Sequence, residues 1–423
     1  MISVYDGGKT MRNFIEAMRE AGKVTDYEES VSTVYEAPKI ASTTDDMVFF
    51  HDLEGMGRGV MNVTACRSSL ALALGIPERD VVHRLAEKNY AGRTTDGGSL
   101  SMQAPALTDL PVMKHYPLDA GRYLTSAVVY SAYGGIENAS IHRMLVLDDE
   151  HLAARIVEGR HTHNLLLQAL SDGESLPVAI TIGTHPAVTF ASCTRVPEGK
   201  EMDYAAELLG GEMPLYECTN GIRVPDAEMV FEGYMGGETT DEGPFVDITG
   251  TYDPVRQGPV ITITGMHTKP DPIFHGILPG GNEHKILMGM PYEPKIFRAV
   301  AGVTRVRNVV LTTGGAGYLH AVIQVKKSTQ GDAKNAIMAA FAAHTSLKHV
   351  VVIDEDIDPF NMEDVEYAMA TRVRADRDVM IIEGVRGSSL DPCRTGDGLN
   401  VKMGIDATMV MGEEEKFIRA QWD

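Results

Sequence analysis

Cysteine is scarce in this chain. Cys66, Cys193, Cys218 and Cys393 are scattered, with no CxxC pair and no zinc-ligand spacing, which reads as reduced thiols in a cytoplasm. Basic residues are outnumbered, 38 Lys and Arg against 59 Asp and Glu, for a formal net charge of −21. Neutralising nucleic-acid phosphates needs clustered cations, so that class of partner is excluded. Any anionic ligand must instead find a local basic pocket. No stretch approaches the roughly 18 apolar residues that a membrane helix requires. The opening MISVYDGGKTMRNF lacks the apolar core of a signal peptide. No membrane association and a cytoplasmic location are therefore expected. There is no internal repeat and no low-complexity tract.

What is present is a chain of 423 residues with 43% hydrophobic and 23% charged content, a soluble globular composition long enough for two or three domains. Met11, Phe14, Ile15 and Met18 share one helical face and Gly22 stops it. A strand is expected over 47–51 and a second helix over 78–88, closing a small α/β domain by residue 105. Between Tyr123 and Tyr292 short β-branched runs dominate (124–130, 144–147, 177–184, 259–264), interrupted by a helical stretch over 151–170, and suggest a barrel. Strands over 321–325, 349–353 and 378–382, with helices over 332–343 and 362–370, predict a final open α/β sheet. The expected class is α/β (α+β), with domains 1–105, 106–292 and 293–423.

Several constellations can carry chemistry. In Asn138-Ala-Ser-Ile-His-Arg143, before a strand, the arginine can clamp a carboxylate with two parallel bonds, or be a structural surface arginine. In Arg160-His161-Thr-His163, two histidines two apart can both ligate a metal from a strand, whereas on a helix they point apart. The acids of Val196-Pro-Glu-Gly-Lys-Glu201-Met-Asp203 can offer oxygen to a hard cation or simply open a helix. Glu242-Gly-Pro-Phe-Val-Asp247 sets two carboxylates about a sharp turn, where unequal environments can divide acid and base roles, or is simply a turn with solvated acids. Lys326-Lys327 and Lys334 read as surface lysines or a phosphate site. Thr313-Gly-Gly-Ala-Gly317 lacks the spacing of a dinucleotide fingerprint.

The order of these segments is more informative than any one of them. Leu176-Pro-Val-Ala-Ile-Thr-Ile-Gly183, Pro186, Ala191-Ser192, Val196-Pro-Glu-Gly199, Glu201, Tyr204, Glu228-Met-Val-Phe-Glu-Gly233 and Glu242-Gly-Pro-Phe245, followed by Gly250 and Tyr252, resemble the core of the UbiD family. Ile353-Asp-Glu-Asp-Ile-Asp358, Thr371-Arg372 and Lys402-Met-Gly-Ile-Asp-Ala-Thr408 are similar to its C-terminal part, and Leu70-Ala-Leu-Ala-Leu-Gly75 to its opening domain. The resemblance covers nearly the whole chain. It implies an N-terminal α/β domain, a central flavin-binding split β-barrel and a C-terminal α/β oligomerisation domain.

By the same resemblance the cofactor is prenylated FMN, made by a partner flavin prenyltransferase and held through Mn2+ (or Mg2+) with K+ nearby. Asn138, His161 and Glu201 match the metal ligands. Ile141, Arg143, Arg160, Ser192, Cys193 and Thr194 fall where the family contacts the flavin. Arg143, Glu242 and Asp247 match the acid–arginine–acid catalytic network, with Glu242 as proton donor. Arg160 stands where some relatives have Gln, and His163 competes with His161 for the ligand role. The implied reaction is reversible non-oxidative decarboxylation of an unsaturated acid through a covalent flavin adduct, by a homo-oligomer (dimer or hexamer). The compact chain is similar to the archaeal branch linked to a modified mevalonate pathway, which implies trans-anhydromevalonate 5-phosphate as substrate and isopentenyl phosphate as product. His284, Lys285, Lys326 and Lys327 are the candidate partners for its phosphate. The alternatives are an aromatic or heteroaromatic acid, an ordinary FMN reductase, and a non-catalytic flavin-binding or assembly protein. The last two would not need the acid–arginine network.

Overall fold

The computed structural model describes residues 8–87 and 90–420, so the end of the helix expected over 78–88 lies outside the described residues. The chain divides into two compact units, one formed by residues 1–78 and 89–287 and the other by 79–88 and 288–423.

In the first unit, the Met11–Glu20 helix buries Met11, Phe14, Ile15 and Met18, and Gly22 follows it at φ 68°, as the apolar spacing predicts. This face packs on Met47, Phe49 and Val60 of a four-stranded sheet ordered Val24–Ser30, Met47–Asp52, Arg58–Met61 and Ile273–His275. The last strand comes from far along the chain and runs parallel to Arg58–Met61.

An eight-stranded antiparallel sheet curls into a half-barrel. Its order is Tyr123–Leu124, Met144–Val146, His151–Ala154, Arg256–Thr268, Ala227–Glu242, Leu176–Thr184, Val128–Tyr133 and Ile136–Ile141. Alternation along the central Leu176–Thr184 strand fixes its faces. Leu176, Val178, Ile180 and Ile182 enter the main core with Phe231 and Ile263, whereas Ala179 joins Val128, Tyr130 and Val230 on the other side. The two long strands Ala227–Glu242 and Arg256–Thr268 pair with bulges at Glu232/Gly233 and Met235/Thr239.

The helix expected over 151–170 is corrected. His151–Ala154 is a strand, captured by pairing with both Met144–Val146 and Arg256–Thr268. Gly159, at φ 72°, then turns the chain, and the helix runs only over His161–Ser171. It buries Thr162, Leu165, Leu166 and Ala169, one helical stripe, against the half-barrel. Residues 138–141, expected just before a strand, lie within one.

The second unit holds a five-stranded mixed sheet ordered Arg305–Leu311, His320–Lys326, His349–Ile353, Leu399–Ala407 and Val379–Arg386. The Asp332–Ala343 helix covers it with Ala336, Ile337 and Ala340. The strands and helices expected in this region are present. Among the described residues, no helix is long and apolar enough to cross a membrane.

Candidate active site and cofactor cradle

Arg143 sits between the Ile136–Ile141 and Met144–Val146 strands. Its Nε and Nη2 donate to the two carboxylate oxygens of Glu242 at 2.9 and 3.0 Å. Nη2 also donates to Asp253 Oδ2 at 3.0 Å, and Nη1 stands 3.6 Å from Asp247 Oδ2. The Phe245 ring lies 4.8 Å from the guanidinium carbon. The Glu242 side chain is wholly buried and that of Arg143 nearly so. Burial opposes the Arg143 charge, but Glu242, Asp247 and Asp253 outweigh it and hold its pKa above the ordinary value. Burial likewise opposes the Asp253 charge, yet Arg256 and Arg143 hold that carboxyl below its usual range. Beside them the buried Tyr123 hydroxyl accepts the Gly243 N–H at 3.1 Å.

Local sequence explains the arrangement. The Ala227–Glu242 strand ends at Glu242, Gly243 takes φ 96°, and Phe245–Val246 forms a hairpin with Tyr252–Asp253. Phe245 pairs with Asp253, which brings this carboxylate to Arg143. Asp253 was missed by sequence reasoning. The available signal was the turn around Gly250, which folds the segment after Asp247 back onto Phe245–Val246.

A second set gathers where the Ile136–Ile141 strand meets two helix starts. Asn138 is buried, and its amide nitrogen donates to Ser140 Oγ at 3.1 Å and Thr162 Oγ1 at 3.0 Å. That leaves the side-chain oxygen as the end for a cation. His161 opens its helix and Glu201 opens the Glu201–Leu208 helix. His161 Nδ1 stands 3.8 Å from Glu201 Oε1. Burial, with the charges of Glu198 and Glu137 adding, pushes the Glu201 carboxyl up to about 7. A nearby cation would relieve that penalty. Asn138 and Glu201 line one small cavity of about 30 Å³ with Tyr130, Ser131, Gly199 and Arg223.

Among the described residues no group of three His, Cys, Asp or Glu is gathered for a metal. An amide, an imidazole and a carboxylate suit instead a hard-to-borderline cation whose remaining ligands are phosphate or water. Since His161 and His163 occupy one helical turn, they point apart. His163 Nδ1 accepts the Gly159 N–H at 3.3 Å. Sequence reasoning also missed the supporting His142. It is buried, with Nδ1 at 3.1 Å from Arg155 O and Nε2 at 2.8 Å from Ser140 Oγ and 3.1 Å from Thr162 Oγ1. Burial pushes its pKa down to about 4, so it is a neutral brace for the hydroxyls that hold Asn138. A lone histidine carries no spacing signal.

The other expected contacts vary. Ser192 Oγ and Thr194 Oγ1 donate back to the Val188 and Phe190 carbonyls at 3.0 and 2.8 Å, so both hydroxyls are engaged within their own helix. Burial pushes the Cys193 thiol up to about 12, making it a neutral wall. Ile141 pairs with Val128 at the sheet edge, and Arg160 is the exposed residue preceding the His161 helix. His284 is electrostatically linked first to Asp247 and then to Arg143, and burial holds its pKa below the ordinary value. Lys326 pairs with Glu355, while Lys327 bonds Thr408 Oγ1 and Met409 O and faces Asp354. Neither lysine joins the Arg143 cluster.

Comparison with known proteins matches three domains described for 3-octaprenyl-4-hydroxybenzoate carboxy-lyase. These are the N-terminal domain over residues 15–88, the Rift-related domain over 93–282 and the C-terminal domain over 285–407. An anhydromevalonate phosphate decarboxylase from Methanosarcina mazei is 51% identical over 97% of this chain and 99% of its own. The structure of the UbiD-class enzyme HmfF from Pelotomaculum thermopropionicum, in complex with FMN, superposes with a TM-score of 0.93 at 32% identity, covering 98% of this chain and 97% of that one. An evolved dimeric form of HmfF, in complex with prFMN, superposes with a TM-score of 0.89 at 30% identity over 98% of this chain and 97% of that one.

Proposed function

We propose that this chain, which belongs to the UbiD family of carboxy-lyases, decarboxylates trans-anhydromevalonate 5-phosphate to isopentenyl phosphate. The observation that carries the reading is the buried Arg143 fork, held by Glu242 at 2.9 and 3.0 Å and flanked by Asp253 and Asp247. A flavin reductase or a flavin carrier has no use for it. The high identity to the M. mazei decarboxylase supports the choice of acid.

Asn138, His161 and Glu201 would hold a divalent cation, Mn2+ or Mg2+, with K+ beside it, against the phosphate of prenylated FMN. The backbone around Ser192, Cys193 and Thr194, with Ile141, Arg143 and Arg160, would line the flavin. Bound there, the prenylated flavin supplies the electron sink that loss of CO2 from an sp2 carbon requires. The protein does the rest. Arg143 orients the substrate carboxylate. That carboxylate joins those of Glu242, Asp253 and Asp247 around the Arg143 guanidinium. Protonated Glu242 delivers its proton to the carbon that CO2 has left; the resulting carboxylate is held by Arg143, with Asp247 beside it, until a proton from water restores the acid. The reading brings with it a flavin prenyltransferase as supplier and a cytoplasmic homo-oligomer, dimer or hexamer.

The test is a substrate panel on protein co-produced with a flavin prenyltransferase. The panel comprises the phosphorylated acid, its dephosphorylated form, and cinnamate- and hydroxybenzoate-type acids. The phosphorylated acid is expected to be preferred. Preference for an aromatic acid refutes the substrate and leaves the family.

A further inference from the structure

The charge cluster extends beyond what proton transfer needs. Asp253 receives Arg143 Nη2 on Oδ2 and Arg256 Nη2 on Oδ1, each at 3.0 Å, and Arg155 Nε stands 4.0 Å from Oδ2. Three guanidinium groups thus converge on one carboxylate, in a chain of net charge −21. The sheet places them there. The Arg155 N–H donates to the Arg143 carbonyl at 3.0 Å, and Arg256 pairs across strands with Glu242. Each added arginine is therefore in backbone register with a residue of the acid–base pair.

Arg155 is the least compensated of the three. One N–H of its guanidinium goes to Ile156 O at 2.8 Å, and it has no bidentate carboxylate of its own. Burial, then the like charge of Arg256, holds its pKa below the usual guanidinium value, with Arg143 adding. The side chains of Arg155 and Arg256 remain 26% and 43% exposed, so an incoming anion can reach them. The other cations considered are engaged differently. Burial disfavours a charge on His284, and its Nδ1 already accepts the Gly280 N–H at 3.1 Å. The Lys285 ammonium lies 3.5 Å from Asn282 Oδ1.

We propose that Arg155 and Arg256 form the subsite for a phosphate monoester on the substrate's tail, with Asp253 as the carboxylate that sets their distance from Arg143. The inference rests on the reading above and deepens it. Two planar forks match the oxygens of a phosphate dianion, which accepts parallel N–H bonds as a carboxylate does. One carboxylate's width separates Arg143 from the pair. An acid with a short carbon chain between its carboxylate and its phosphate can therefore engage both at once.

The test uses flavin-loaded enzyme with Arg155→Met, Arg256→Met and the charge-keeping Arg155→Lys and Arg256→Lys, flavin content being matched by visible spectrum. KM and kcat are measured on the phosphorylated acid and its dephosphorylated form, and inorganic phosphate is titrated as a competitive inhibitor. Each Met variant should raise KM for the phosphorylated acid roughly ten- to hundredfold and cut the preference for it by a similar factor. It should also weaken phosphate inhibition, and the Lys variants should recover part of each effect. Equal losses on both acids, with the preference intact, would reduce the arginines to a structural ion-pair network and overturn the proposal. If the phosphorylated acid is not turned over at all, yet phosphate still inhibits the accepted acid through Arg155 and Arg256, the subsite stands and the substrate reading falls. If the phosphorylated acid is the substrate and neither Met variant alters the preference, the subsite alone falls.

Discussion

Glu242→Gln separates what the buried acid does for chemistry from what it does for folding. Glutamine keeps the length, but it turns an NH2 toward Arg143 where a carboxylate oxygen had accepted an N–H at 2.9 or 3.0 Å. Charge-assisted bonds of this kind contribute about 1.5–3 kcal/mol. The guanidinium is not stranded, because Asp253 at 3.0 Å and Asp247 at 3.6 Å remain. The net cost should therefore sit near the low end, about 2 kcal/mol. Arg143→Met is the contrasting change. It leaves the wholly buried Glu242 without its cation, the situation that costs about 3–5 kcal/mol. Stability is read as urea midpoints on protein made without the prenyltransferase, so that cofactor binding does not enter. Turnover is read on loaded enzyme at matched flavin content. Both variants should lose roughly 10²–10⁴-fold in kcat, the range of a positioned acid, while Glu242→Gln stays the more stable. Activity of Glu242→Gln within about threefold of wild type would refute its role as proton donor. Equal destabilisation by the two changes would refute the argument that Asp253 and Asp247 hold Arg143.

His161→Ala should strip both metal and flavin while the protein stays folded, and His163→Ala should keep them; elemental analysis and the visible spectrum decide, and the reverse outcome moves the ligand role to His163. Gly233→Ala should cost about 1–3 kcal/mol, read as a lower urea midpoint, because its Cβ would stand 2.1 Å from the Thr262 carbonyl oxygen; an unchanged midpoint would contradict this strand pairing. The Asp332 carboxylate is held below its usual range by N–H bonds from Ser328 and Thr329 and by the Thr329 hydroxyl. Its contribution is therefore present above the unfolded value of about 3.9 and is lost as pH falls through the lower folded value. Asp332→Asn should cost about 1 kcal/mol near neutrality and nothing in strong acid, so a difference in Tm that does not shrink with acid would count against it.

The fold was legible where one residue type repeats at one period. Met11, Phe14, Ile15 and Met18 mark a helix, and the β-branched runs at 177–184 and 349–353 mark buried strands, because those patterns are local. His151-Leu-Ala-Ala154 was misread as helix because leucine and alanine favour it, and only pairing to both sides makes it a strand. Of the site, Arg143, Glu242 and Asp247 could be picked out by resemblance. Asp253, Arg155 and Arg256 could not, since each is a single residue of ordinary type with no motif around it, and His142, although inside the Asn138–Arg143 segment, carries no spacing signal of its own. Conversely Lys326-Lys327 is conspicuous in the sequence, and the fold commits it to Glu355 and to Thr408, Met409 and Asp354.

What turns the inconspicuous residues into a site is register. Arg256 lies opposite Glu242, and Phe245 opposite Asp253, through the pairing of the segments on either side of one hairpin. Strand side chains alternate faces, so a slip of one residue would send Arg256 and Glu242 to different sides. The bulges at Glu232/Gly233 and Met235/Thr239 shift the pairing between the core-facing part of the long strands and their functional end. Gly233 is at the first of these, where only a residue without a Cβ fits against Thr262. Gly233→Ala should accordingly do more than loosen the core. It should also displace Arg256 relative to Glu242 and lower turnover in the folded fraction, whereas a purely packing role for the glycine predicts full specific activity in whatever protein remains folded.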